Sequence, residues 1–119
     1  MATVNIVNVT SIQGFNMCGA VTTSATDVID VPADVIYKIN TVIISNVDGT
    51  NSANITASVS RDNGSNYFHI AKTVAVPADS TLSILDTPLY LRAGDVLEGG
   101  ASANSDLQLV VSYEVIDDA

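Results

Sequence analysis

Asn54-Ile55-Thr56-Ala57-Ser58-Val59-Ser60-Arg61 leads into Asp62-Asn63-Gly64-Ser65, and after Asn66 the chain returns as Tyr67-Phe68-His69-Ile70-Ala71-Lys72-Thr73-Val74. In the first run Ile55, Ala57 and Val59 alternate with Thr56, Ser58 and Ser60, the period-two pattern of a strand with one buried face. Asn-Gly accepts the positive φ that a type I′ turn requires, so the connection reads as a tight hairpin. The stretch predicts two antiparallel strands, and it sets the pattern for the rest of the chain.

Outward from this hairpin, short strand candidates follow one another at regular spacing, separated by turn chemistry. Ile36–Ser45 is the longest, with Tyr37, Ile39, Thr41 and Ile43 opposing Ile36, Lys38, Asn40, Val42 and Ile44. Val42-Ile43-Ile44 places apolar groups on both faces, which predicts cover on both sides there. Upstream lie Val4–Val9, Ala20–Thr23 and Asp27–Val31; downstream lie Thr81–Leu85, Leu89–Leu91, Val96–Ala103 and Leu107–Ile116. Gly99-Gly100 inside one of these suggests a bulge or bend. Ser45–Asn54 is a polar loop, and Val31-Pro32-Ala33-Asp34 recurs as Val76-Pro77-Ala78-Asp79, each time just before a strand. Proline presets φ and aspartate bonds its own downstream backbone, so the repeat reads as a turn used twice.

Val, Ile and Thr make up about a third of the 119 residues, a β-rich usage. No window carries apolar residues at i, i+3, i+4 and i+7, so little or no helix is expected. At 12.4 kDa the chain has the size of one domain, residues 1–119. The expected fold is all-β: an antiparallel two-sheet β-sandwich, jelly-roll-like, of about eight short strands.

Four basic against 13 acidic residues leave a net charge of −9. A nucleic-acid duplex or an anionic membrane surface would repel such a chain, so neither is expected as a partner. The N-terminus lacks the basic and apolar regions of a signal peptide, and no apolar run reaches membrane-spanning length. The single cysteine, Cys18, rules out an intrachain disulfide and is expected to be a buried small hydrophobe. Sheet edges need guarding, commonly by lysine, proline or bulges. With two lysines and three prolines, this chain must guard its edges with aspartates and loops, or a partner must cover them.

Candidate chemistry is thin. His69 is the sole histidine, and no Gly-x-Ser-x-Gly elbow accompanies it, so it is expected to be a sheet residue and the chain not an enzyme. A catalytic role would require His69 in a cleft beside a carboxylate or hydroxyl. One His and one Cys do not make a zinc site. Asp48 with Asn51, and Asp62 with Asn63 and Asn66, are oxygen-rich loops without EF-hand spacing, read as solvated turns rather than calcium sites. No metal and no cofactor is expected. Of the aromatics, Tyr37 and Tyr113 are expected in the core, and Tyr67 and Tyr90 at the surface.

The order of pieces in residues 36–116 is distinctive. It runs Ile43-Ile44-Ser45-Asn46-Val47-Asp48-Gly49-Thr50, then Ile70-Ala71-Lys72-Thr73-Val74-Ala75-Val76-Pro77-Ala78-Asp79-Ser80-Thr81-Leu82, then Leu89-Tyr90-Leu91-Arg92-Ala93-Gly94-Asp95, Ala101-Ser102-Ala103-Asn104 and Val110-Val111-Ser112-Tyr113. This order resembles small virion structural proteins of tailed bacteriophages, common in marine and cyanobacterial phages. The resemblance implies a capsid decoration, or cement, protein on the outer capsid surface of the virion. It would be made in the host cytoplasm and would bind and stabilise the shell of major capsid protein. Symmetric shell sites favour a homo-oligomer, a trimer first. The expected docking element is the N-terminal segment up to Phe15, with Val4, Ile6 and Phe15 as contacts. Alternatives are a tail, neck or fibre adaptor, and a carbohydrate-binding or adhesin module.

Overall fold

The computed structural model describes residues 10–117. They form nine strands: β1 (Ser11–Val21), β2 (Thr26–Asp30), β3 (Val35–Asn46), β4 (Ala53–Ser60), β5 (Tyr67–Val76), β6 (Thr81–Ser83), β7 (Leu89–Leu91), β8 (Val96–Ala101) and β9 (Leu107–Asp117). No helix occurs among the described residues. One sheet has the order β1-β9-β3-β6, with β7 also on β3; the other is β2-β8-β4-β5. Every pairing is antiparallel.

Taking β6 and β7 as one interrupted strand, the partners nest: β1 with β9, β2 with β8, β3 with β6 and β7, β4 with β5. Successive pairs fall alternately in the two sheets, which is the winding of a jelly-roll-like sandwich. The core lies between the sheets. Ile39, Val42, Ile44, Leu109 and Val111 come from one sheet, and Ile29, Ile55, Val59 and Leu97 from the other. The remaining void between the layers, lined by Val42, Ile44, Ile55, Leu97 and Leu109, is about 10 Å³, no larger than one water needs.

The β4–β5 hairpin forms, with a six-residue loop, residues 61–66, rather than a two-residue turn. Asn63 (φ 60) and Gly64 (φ 88) both take the left-handed conformation between β4 and β5. The repeated Val-Pro-Ala-Asp turn is also one structure used twice. Val31 and Val76 are buried, and Asp34 (φ 68) and Asp79 (φ 57) share the same left-handed backbone. Aspartate tolerates that region because its short side chain bonds locally.

Three expectations need correction. In place of the short strand expected at Ala20–Thr23 stands the 11-residue β1, paired along its whole length with β9, and the Val4–Val9 candidate lies outside the described residues. Its side chains are exposed on both faces until Met17, so no alternation advertises it. Gly99-Gly100 carries no bulge on β4, where the register runs unbroken. These glycines instead admit a close neighbour: a Cβ on Gly100 would stand 3.4 Å from Ala25 Cα, and one on Gly99 3.5 Å from Val28 Cγ2. The bulges sit elsewhere, in the pairings of β2, of β5 and at Asn40 of β3. Finally, Cys18 is exposed, because β1 is an edge strand and Cys18 faces away from the core.

Candidate partner-contacting surface

The two sheets present different outer surfaces. On the β2-β8-β4-β5 sheet, register places Asp27, Glu98, Ser58 and His69 side by side across all four strands. Tyr67 lies over the row, its hydroxyl donating to Asp27 Oδ1 at 3.4 Å. Desolvation, then the nearby Glu98 and Asp27 carboxylates, push the Tyr67 phenol up. Desolvation and the neighbouring Asp27 likewise push the Asp30 carboxyl up. This face is acidic.

His69 is exposed on it, with Nδ1 2.7 Å from Ser58 Oγ. The sole histidine thus does meet a hydroxyl, but Ser58 is only 2% exposed. A nucleophile needs a substrate on top of it. Here the pair reads as a cross-strand hydrogen bond.

The outer face of the other sheet is close to neutral. β1 contributes Ile12, Gly14, Asn16, Cys18 and Ala20, and β9 contributes Gln108, Val110 and Ser112. Glu114 is the acid on this stretch, and Lys38 Nζ stands 3.7 Å from its Oε1, with Asn40 Nδ2 donating at 3.3 Å. Small side chains leave two shallow depressions of about 290 and 300 Å³. One is lined by Gly14, Asn16, Asn40, Ser112 and Glu114, the other by Cys18, Ala20, Gln108 and Val110. Asn16 accepts a hydrogen bond from Ser112 Oγ and ties β1 to β9.

Phe15 belongs to the opposite, core-facing side of the same strand. It stacks on Tyr113 (centroids 5.8 Å apart), which stacks on Tyr37 at 5.1 Å. Tyr37 and Tyr113 pack against the core as expected, while Phe15 ends the row at the sheet edge and stays 45% exposed. Val4 and Ile6 lie outside the described residues. Tyr90 is exposed, but it sits on β7, on the other sheet from Tyr67, so the two make no aromatic pair.

The oxygen-rich loops are turns saturated with their own donors. Asp48 Oδ1 accepts from the Thr50 and Asn51 amides at 2.8 and 3.2 Å. Asp62 Oδ1 accepts from the Asn66 amide and from Ser60 Oγ, both at 2.8 Å, and Oδ2 accepts from Asn66 Nδ2 at 2.7 Å. Bonds from the Asn66 side chain and backbone, then from Ser60, lower the Asp62 carboxyl from 3.8 to about 2. A carboxyl held below its unfolded value stabilises the fold above that value and loses the contribution as pH falls through the folded one. We therefore expect the 62–66 turn to loosen between about pH 4 and pH 2. Asp62→Asn should flatten that part of a stability-against-pH curve; an unchanged curve would discard the assignment.

Sequence reasoning missed two polar residues that organise the loops. Asn46, 3% exposed, donates to the carbonyls of Val76 (2.9 Å) and Asn51 (3.0 Å) and accepts from the Asp48 amide (2.9 Å). Asp95, also 3% exposed, accepts from the Arg92 amide at 2.9 Å and pairs with Arg61 Nε at 3.4 Å. Asn46 sits in the Ser45–Asn54 stretch, which reads simply as a polar loop.

No protein-family model matches the chain, and no curated protein matches its sequence. Solved structures do. A chain of the acid-stable capsid of Helicobacter pylori bacteriophage KHP30 superposes with TM-score 0.53 at 6% identity, over 93% of this chain and 91% of that one. A chain from Bacillus endospore appendages, a family of disulfide-linked pili, superposes with TM-score 0.50 at 12% identity, over 90% and 88%. A pentameric capsid protein from metagenomic phage sequences gives TM-score 0.47 at 15% identity, and this chain spans 63% of its length. What is shared is the fold.

Proposed function

We propose that this chain is a structural protein of a bacteriophage virion, a decoration protein that binds the outside of a shell of major capsid protein and stabilises it. The observation that carries the reading is the near end-to-end superposition on a chain of the KHP30 phage capsid. The resemblance of residues 36–116 to tailed-phage virion proteins points the same way. The polarity of the sandwich suits the role. Its neutral face is cheap to desolvate against a shell, while the row Asp27–Glu98 keeps the other face hydrated. Binding that favours the assembled shell over its separated parts stabilises it by mass action. In this reading residues 1–15 form the docking segment, with Val4, Ile6 and Phe15 as contacts, and the protein works as a homo-oligomer.

The test is co-sedimentation of the purified protein with expanded empty shells of the phage that encodes it. Saturable binding, together with a higher temperature of shell rupture, is the expected result. Shells that sediment without the protein would overturn the reading. The endospore-appendage match favours a second reading, a subunit of a fibre. That reading predicts filaments in electron micrographs of the purified protein alone.

A further inference from the structure

A β-sandwich with two open sheets has exposed edges, and each exposes a row of unpaired backbone N–H and C=O groups that can template another strand. Three of the edges in this protein are blunted. β2 is five residues long, carries Asp27 and Asp30, and has a register shift between Asp27 and Ile29. β5 has two register shifts against β4, a left-handed Thr73 (φ 54) and an outward Lys72. The third edge is divided between β6 and β7, three residues each.

β1 has none of these devices. It is 11 residues long, SIQGFNMCGAV, with no charge and no proline. Its register on β9 runs without a shift from Ser11↔Asp117 to Val21↔Leu107. No other described strand pairs with its outer side. About five amide N–H groups and as many carbonyls therefore point outward from a straight edge.

We infer that β1 is a pairing edge and that its occupant is the β1 of a second copy of this chain, joined antiparallel about a two-fold axis. The hydrogen-bonding row demands an extended strand. The charge selects which one. Two chains of net charge −9 repel wherever their acids meet. Along β1 and the flanking Leu107–Tyr113 of β9 there is no charged side chain, so two copies approach there without that penalty. The nearest acids, Glu114 and Asp117 of β9, stand one strand in from the edge opposite Gly14 and Ser11, at one end of β1, and Glu114 is paired with Lys38; Asp27 and Asp30 of β2 lie in the other sheet. An identical strand pairs with itself only isologously, so the unit is a dimer with one continuous sheet rather than the trimer that shell symmetry suggests. The inference does not depend on a virion role.

Light scattering on a sizing column decides the first point. A mass of twice 12.4 kDa across a wide concentration series is expected. A monomer throughout, or a trimer or pentamer, would overturn the pairing. Gly14→Asp/Asn16→Asp/Cys18→Asp puts three like charges on the outer face of each β1. A Cβ on Gly14 meets nothing within 4 Å, so the fold has room for the change. This variant should be a folded monomer by circular dichroism, and a folded dimer would show that another surface is used. Should the variant fail to fold, hydrogen exchange on the unmodified protein still decides. Outward amides of residues 11–21 should exchange about tenfold more slowly in concentrated than in dilute solution, as a newly paired edge requires. Exchange independent of concentration, with protection changing elsewhere or nowhere, would refute the pairing.

Discussion

Ile44→Ala should lower unfolding free energy by about 2–5 kcal/mol, the usual cost of a large-to-small change in a core that cannot collapse. Ile44 is fully buried, lies in register with Leu109 on one side and Leu82 on the other, and faces Ile55 and Leu97 across the sandwich. The void it borders is about 10 Å³, so removing the side chain creates a hole where almost none existed. Both flanking strands are hydrogen-bonded to β3 and cannot close over it. For a chain of this size the loss corresponds to a Tm drop on the order of 10–20 °C. Urea unfolding followed by circular dichroism should show a lower midpoint at unchanged m. Ile12→Ala, on an exposed side chain of β1, should stay within about 0.5 kcal/mol of the parent. Equal losses for the two would mean that the inter-sheet core does not carry the stability.

Asn46→Asp should cost about 3–5 kcal/mol at neutral pH, the penalty for a buried charge whose hydrogen-bond donors have been removed. The Asn46 amide donates to the carbonyls of Val76 and Asn51. A carboxylate would turn an acceptor oxygen toward each of them at about the same 2.9 and 3.0 Å. Only the bond from the Asp48 amide would survive. Burial raises such a carboxyl's pKa, so the defect should shrink in acid, where a neutral acid can donate to one carbonyl again. Asn46→Leu, which strands all three backbone partners, should be destabilised without that pH dependence. If Asn46→Asp were as stable as the parent at neutral pH, the clamp between the end of β3 and the end of β5 would be wrong.

Strand boundaries were legible wherever one face is buried and the other wet. β4 and β9 fall within one residue of the alternation that predicts them, because burial on one side of a pleat imposes period two on the side chains. The turns were legible for a different reason. Asn63-Gly64 and the two Pro-Ala-Asp turns hold unusual backbone angles that only a few residue types adopt cheaply. β1 escaped because an edge strand is wet on both faces over most of its length, so its sequence is under no such constraint.

The candidate surface was legible in single residues and not in combinations. Phe15 stood out as an aromatic among polar neighbours, but its partner Tyr113 lies at the other end of the chain. Asn46 looked like one more loop asparagine, since nothing local shows that Val76 arrives beside it. Local physics, meaning backbone preference, alternation and total charge, was sufficient for an all-β sandwich of acidic surface. Which face is neutral, which edge is open, and which polar groups are buried all followed from pairings between strands far apart in the chain. Such contacts depend on where the sheets close, and no short stretch of residues encodes that.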